Sequence, residues 1–183
     1  MPSQIKLLIV FAITGLVWLF MKPPSGVSIQ KKMVIQDASI AYKGVDYLVD
    51  WQAETVEHSG DVHELKAEYN KYAPINTHHV VLTSGDYSDP EKVDIAPLCK
   101  GHTSWRAKAQ PTGSMKVLHL IPANEKVFKQ LKKVKSGQSL TFMGQEEQDN
   151  QIPSSKGGGF SGGSKDYGHY IFFVHEIKPY SGE

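Results

Sequence analysis

From Ile5 to Met21 the chain reads IKLLIVFAITGLVWLFM, with Lys6 as its charge and Thr14 as its most polar interior residue. At about 1.5 Å of rise per residue, a helix over that stretch just crosses a bilayer core of about 30 Å. The remainder of the chain has ordinary soluble-protein composition. The expected organisation is therefore a membrane anchor at residues 1–21, a linker at 22–32 and one globular domain at 33–183. A cleaved secretory signal and a buried core helix are the alternatives. A cleavable signal ends in small residues, whereas this one ends in Trp18-Leu19-Phe20-Met21 and runs into Lys22-Pro23-Pro24. An uncleaved single-pass anchor is the better fit.

Orientation rests on two opposed rules. Lys22, Lys31 and Lys32 come after the span and, counted strictly, would keep the domain in the cytoplasm. A very short amino-terminal tail usually stays inside while a large domain behind it is exported. Export is favoured, which expects a span in the inner membrane and a periplasmic domain.

The part beyond the linker, about 150 residues, has the size of one domain with one real core. Twenty Lys and Arg face nineteen Asp and Glu. Nucleic-acid binding normally rests on a strongly cationic surface, so that partner is not expected. Cys99 is the one cysteine of the chain, so the fold cannot rely on an internal disulfide.

Apolar patterning expects strands at Met33–Tyr42, Tyr47–Val56, His79–Thr83, Lys116–Ile121, Ser139–Met143 and His169–Ile177. Val62, Leu65, Tyr69 and Tyr72 recur at helical spacing after Asp61-Val-His-Glu64, which expects a short helix ended by Pro74. A second helix is expected at Ala123–Lys135, with Val127, Phe128, Leu131 and Val134 on one face. Asp89–His102 is expected as a long loop, and the glycine-rich segment Pro153–Gly168 as a loop or long hairpin connection. The fold class is α+β: an anchor helix, then a small β-rich domain. Its expected form is a partly open barrel resembling the oligonucleotide/oligosaccharide-binding (OB) type, with one or two helices.

Cys99-Lys-Gly-His102 has the spacing of a two-ligand metal clamp. With His119 it forms a candidate zinc set, although a structural zinc site normally shows paired doublets. Adjacent His78 and His79 point to opposite faces of a strand and cannot easily share an ion. The default expectation is accordingly no cofactor. Gly158-x-x-x-x-Gly163-Ser164-Lys165 has the length of a phosphate loop, but it reverses the last two residues and precedes a strand rather than a helix. Asp86, Asp89, Glu91 and Asp94 read as turn-forming aspartates and polar loop residues. Lys126, Lys129, Lys132 and Lys133 form the basic face of the second helix, a solvated surface or a contact for anionic lipid.

His119-Leu-Ile-Pro-Ala123 resembles a motif of a group of uncharacterised, membrane-anchored or exported bacterial proteins. The segments Asp94-Ile-Ala-Pro-Leu-Cys-Lys-Gly-His102 and Lys135-Ser-Gly-Gln-Ser-Leu-Thr-Phe-Met-Gly144 are also similar to that group. Cys99-Lys100 departs from its Gly-Trp pair. The resemblance implies export, anchoring and a compact β-rich fold, and no reaction. His119, Asp94 and His102 are the ligand or loop-fixing candidates, with no catalytic residue assigned. The expected function is a membrane-anchored, non-enzymatic periplasmic domain that binds a protein partner or an envelope component. Metal-assisted hydrolysis of envelope material is the alternative.

Overall fold

The computed structural model describes residues 33–36, 39–67 and 74–180. The expected anchor and linker lie outside the described residues, and among the described ones no helix is long and apolar enough to cross a membrane. The strands are β1 (Met33–Gln36), β2 (Ser39–Tyr42), β3 (Val45–Leu48), β4 (Val56–Ala67), β5 (His78–Gly85), β6 (Val93–Ile95), β7 (Trp105–Ala107) and β8 (Gly113–Pro122). Helix α1 (Glu125–Leu131) is followed by β9 (Ser139–Glu146), β10 (Gln151–Pro153), β11 (Gly159–Ser161) and β12 (His169–Pro179).

Five long strands form a barrel in the order β12-β8-β5-β4-β9, and the ladder from β9 back to β12 closes it. The barrel is thus closed rather than partly open. The β8–β12 pair is parallel and the other four are antiparallel. Strands β1–β3 form a separate antiparallel sheet, while β6–β7 and β10–β11 are two-stranded.

Every barrel strand sends alternate residues inward, as the two-residue period of a strand requires. Val62, Val80, Leu82, Leu118, Leu120, Phe142, Phe172 and Val174 fill the interior. Val127 and Leu131 of α1 join this cluster and cover one end of the barrel. The outer face of β5, β8 and β12 is covered as well. There Ile121, Ile171 and Phe173 pack against Ile40, Tyr42 and Tyr47 of the small sheet, and Val81 and Val117 pack against Leu98. Two-sided burial explains the nearly unbroken apolar run of β8.

The helix expected from Asp61 is not formed, because residues 61–67 continue β4. His58, Gly60 and Val62 are buried at every second position. The ladder to β5 along residues 61–67, joined at Asp61 by the one to β9, outweighs the local helical spacing. A register shift between Val62 and Glu64 inserts one residue, which places Leu65 three positions after Val62 and imitates a helical repeat. The second helix is shorter than expected. Pro122 ends β8 opposite Val174, and Asn124 is the cap, its Oδ1 accepting from Val127 N at 3.0 Å. The expected strand Met33–Tyr42 divides into β1 and β2, and the glycine-rich segment contains β11, which pairs back on β10 as a hairpin.

Phe142→Ala removes a whole aromatic ring from the barrel interior. It is expected to cost about 3–5 kcal/mol, read from urea unfolding of the full-length chain in detergent.

Candidate functional site

The end of the barrel away from α1 is polar. The inward rows of Leu118, Phe172, Val62 and Phe142 continue there as Lys116, Tyr170, His58 and Glu146. His58 is buried against the Tyr170 and Phe172 rings, at centroid distances of 4.9 and 5.0 Å. Burial, and then the Lys116 ammonium, push its pKa down to about 4, against the pull of Glu146, so the ring is neutral. A neutral ring has one donor and one acceptor. Nε2–H donates to Glu146 Oε1 at 3.0 Å, and Nδ1 accepts from Lys116 Nζ at 3.4 Å. Lys165 Nζ donates to Glu146 Oε2 at 3.3 Å and to the Gln148 carbonyl at 3.2 Å. The chain Lys116–His58–Glu146–Lys165 forms the floor of the barrel mouth.

Lys116 and Lys165 of that chain line a cleft of about 860 Å³, walled by the starts of β8 and β12, the β5–β8 connection and the glycine-rich segment. Tyr87 and Trp105 meet edge to face at 5.2 Å on one wall. Tyr167, 80% exposed, and Tyr170 stand on the other. Two cleft hydroxyls are engaged locally: Ser114 Oγ bonds Ser84 Oγ at 3.0 Å, and Ser164 Oγ accepts from Asp166 N at 3.2 Å.

From the cleft wall inward, on the outer face of the barrel wall, four histidines form a row, of which His102 and His169 line the cleft. The centroid of His102 lies 5.3 Å from that of His169, His169 lies 5.7 Å from His119, and His119 lies 4.7 Å from His79. His119 Nε2 lies 2.8 Å from the Gly162 carbonyl, which can only accept, so Nε2 carries the proton. In the neutral ring Nδ1 is then an acceptor, and His79 Nδ1–H donates to it across 2.7 Å. Asn76 Nδ2 reaches His79 Nε2 at 3.4 Å. Burial lowers the pKa of His79 to about 4 and of His119 to about 2, with the neighbouring histidines adding to both shifts. Two buried imidazoles thus satisfy each other without charge.

The loop carrying Cys99 and His102 reaches this row. Lys100 and Gly101, at φ 51 and 78, make a two-residue hairpin turn, closed by Cys99 N to His102 O at 2.8 Å and the reverse bond at 3.0 Å. Gly101 is buried on the histidines, and a Cβ there would lie 2.7 Å from His79 Cε1 and Nδ1. Glu64 Oε2 accepts from Leu98 N, and Lys66 Nζ donates to the Leu98 carbonyl, both at 2.5 Å. The loop is fixed from both sides.

Of the residues singled out by sequence, His102 and His119 come together in the row. His102 lines the cleft, while His119 is buried behind it with both nitrogens engaged. Cys99 is a free, exposed thiol. Asp94 is exposed on β6, opposite Arg106, with Nη2 to Oδ2 at 3.8 Å. A 2.7 Å separation between the His79 and His119 nitrogens is a hydrogen bond; two ligands about 2.0–2.1 Å from one tetrahedral zinc stand farther apart. Among the described residues no group of three or more His, Cys, Asp or Glu side chains is arranged to hold a metal ion. On α1 and just beyond it, Lys126, Lys129, Lys132 and Lys133 are exposed. Lys129 pairs with Glu125 at 3.2 Å, and Lys132 lies over the Phe128 ring at 4.7 Å.

Sequence reasoning missed His58, Glu146, Lys116 and Lys165 as a group. One signal was available: Lys116 shares a strand face with Leu118 and Leu120, an unusual inward place for an ammonium. Compared with known protein families and curated proteins, the chain matches no family model and no curated sequence.

Buried neutral histidines set a pH dependence. His58, His78 and His79 have folded-state pKa values of about 4 against an ordinary 6.5, so below pH 6.5 the unfolded chain binds the extra protons. Their contribution to stability is full above about 6.5 and is lost as pH falls toward 4, by up to about 1.4 kcal/mol per pH unit for each ring. Calorimetry of the full-length chain is expected to show a falling Tm and proton uptake on unfolding at pH 5.5. A Tm that stays flat from pH 7.5 to 5 would contradict this.

Proposed function

We propose that this chain is a membrane-tethered, non-enzymatic binding domain that receives an envelope component in the cleft at the mouth of its barrel. The carrying observation is that cleft itself: a polar floor at the open end of the barrel beneath exposed aromatic walls. Small-molecule and polymer sites favour the mouths of barrels. Exposed Trp and Tyr rings present apolar faces with a polar tip, which suits the flat, hydroxyl-edged rings of saccharides.

The strand order supports an OB-type reading. In chain order the barrel strands are β4, β5, β8, β9 and β12, with α1 between the third and fourth. Of the regions that OB folds use to bind oligosaccharides or oligonucleotides, the loop between the fourth and fifth strands borders the cleft. The balanced charge of the chain favours the former. The locally engaged Ser114 and Ser164 favour binding over a serine-based reaction. The apolar stretch Ile5–Met21 supports an inner-membrane address with the domain in the periplasm, and the resemblance at His119–Ala123 supports the same setting. The lysines of α1 lie at the opposite end of the barrel.

Two measurements test the reading. The full-length chain in detergent is expected to co-sediment with isolated bacterial cell-wall glycan. Replacing both Trp105 and Tyr167 by Ala should weaken that about tenfold, whereas Lys126→Glu should leave it unchanged; equal sedimentation of all three overturns the reading. An alkaline phosphatase fused after Glu183 is expected to be active in cells, and an inactive fusion would remove the periplasmic assignment.

A further inference from the structure

If the cleft is the binding site, its floor dictates what the occupant must carry. Lys116 stands at that floor, half-buried on the inward face of β8. The Glu146 carboxylate is already shared between His58 and Lys165. Among the described residues the hydrogen-bond contact of Lys116 Nζ is the neutral His58 ring, at 3.4 Å. An ammonium has three donors, so one long bond to an uncharged acceptor leaves this cation poorly satisfied in a partly desolvated place. Lys165 spends its own bonds on Glu146 and Gln148 and remains on the cleft wall beside it. Asp166, on the rim, and the imidazoles of His102 and His169 are the other titratable groups that line the cleft with Tyr87, Tyr167 and Tyr170.

We propose that Lys116 is the anchor of an anion subsite and that the ligand is an acidic saccharide. Its ring lies against the Trp105 and Tyr167 walls, and its carboxylate reaches down to the Lys116 ammonium. Lys165 borders the subsite. His58 meets the Lys116 ammonium at 3.4 Å and Glu146 holds that of Lys165 at 3.3 Å, so Lys165 is neutralised and Lys116 keeps its charge for the ligand. A neutral sugar of the same shape would leave Lys116 as it stands, which is the basis of discrimination.

The test uses the full-length chain in detergent with cellotetraose, the cellouronic acid tetramer and an oligothymidylate as probes. Cellotetraose and the acid tetramer differ only in their C6 carboxylates. Binding is followed by the indole N–H signal of Trp105, assigned by its loss in Trp105→Phe, and by calorimetry. The acid tetramer is expected to bind at least about tenfold more tightly than cellotetraose. Lys116→Met should abolish that preference while leaving the weak binding of the neutral tetramer. Lys165→Gln should reduce the preference in part, and an unchanged circular dichroism melt certifies the fold of each variant. Equal binding of both tetramers that still depends on Trp105 overturns the acidic subsite and leaves the cleft reading intact. Tighter binding of the oligothymidylate than of either sugar, or no shift of Trp105 with any probe, overturns the inference. Co-sedimentation with cell-wall glycan then decides the cleft reading separately.

Discussion

Parallel pairing of β8 with β12 is the constraint on which the rest of this structure depends. Both strands are central, β12 lying between β8 and β9, and β8 between β12 and β5. Parallel strands cannot be joined by a tight turn, so a long crossover has to connect them. Here the crossover carries α1, β9, β10 and β11, and every part of it is used. The helix closes one end of the barrel, β9 completes the wall, and the β10–β11 segment covers the outer face. The same crossover brings Lys165 back to the mouth beside Lys116. Gly144 shows how tightly this is assembled, since a Cβ there would lie 2.0 Å from the Phe173 carbonyl.

Two polar systems lie on opposite faces of one wall. Inside, Lys116, His58, Glu146 and Lys165 alternate ammonium, imidazole, carboxylate and ammonium. Outside, His79 and His119 pair without any carboxylate and are sealed by Gly101 and Gly162. They differ in what burial does to them. An uncharged imidazole pair loses little in a dry setting once its donors and acceptors are matched. A shared carboxylate with two ammonium groups needs the partial solvation of an open mouth. The outer pair therefore fits structural work, and the inner chain supports the proposed ligand contact.

Much of the fold was legible in residue order. Barrel strands at His79, Lys116, Ser139 and His169 announce themselves through apolar runs with β-branched and aromatic residues. Helix α1 does so through Val127, Phe128 and Leu131. Strand β4 was not legible, because His58, Gly60 and Val62 are not three hydrophobic residues and the shift at Glu64 breaks the two-residue rhythm. Losing β4 also hid His58, and with it the floor of the cleft. Cys99 and His102 were legible as a pair, but their spacing serves a hairpin turn. A turn and a two-ligand clamp both bring residues three apart together, and spacing alone does not separate the two. His119 stood out as a polar residue in an apolar strand. Its partner His79 could not be chosen over His78 until the register of β5 against β8 set them side by side.

Closure of the barrel also limits how anything can attach to it. Among the described residues each of its five strands has two partner strands, so the cylinder has no free edge strand for an incoming segment to extend. Association with the cylinder itself must proceed through side chains at its rim. Selectivity is then exchangeable one residue at a time, without rebuilding the scaffold beneath.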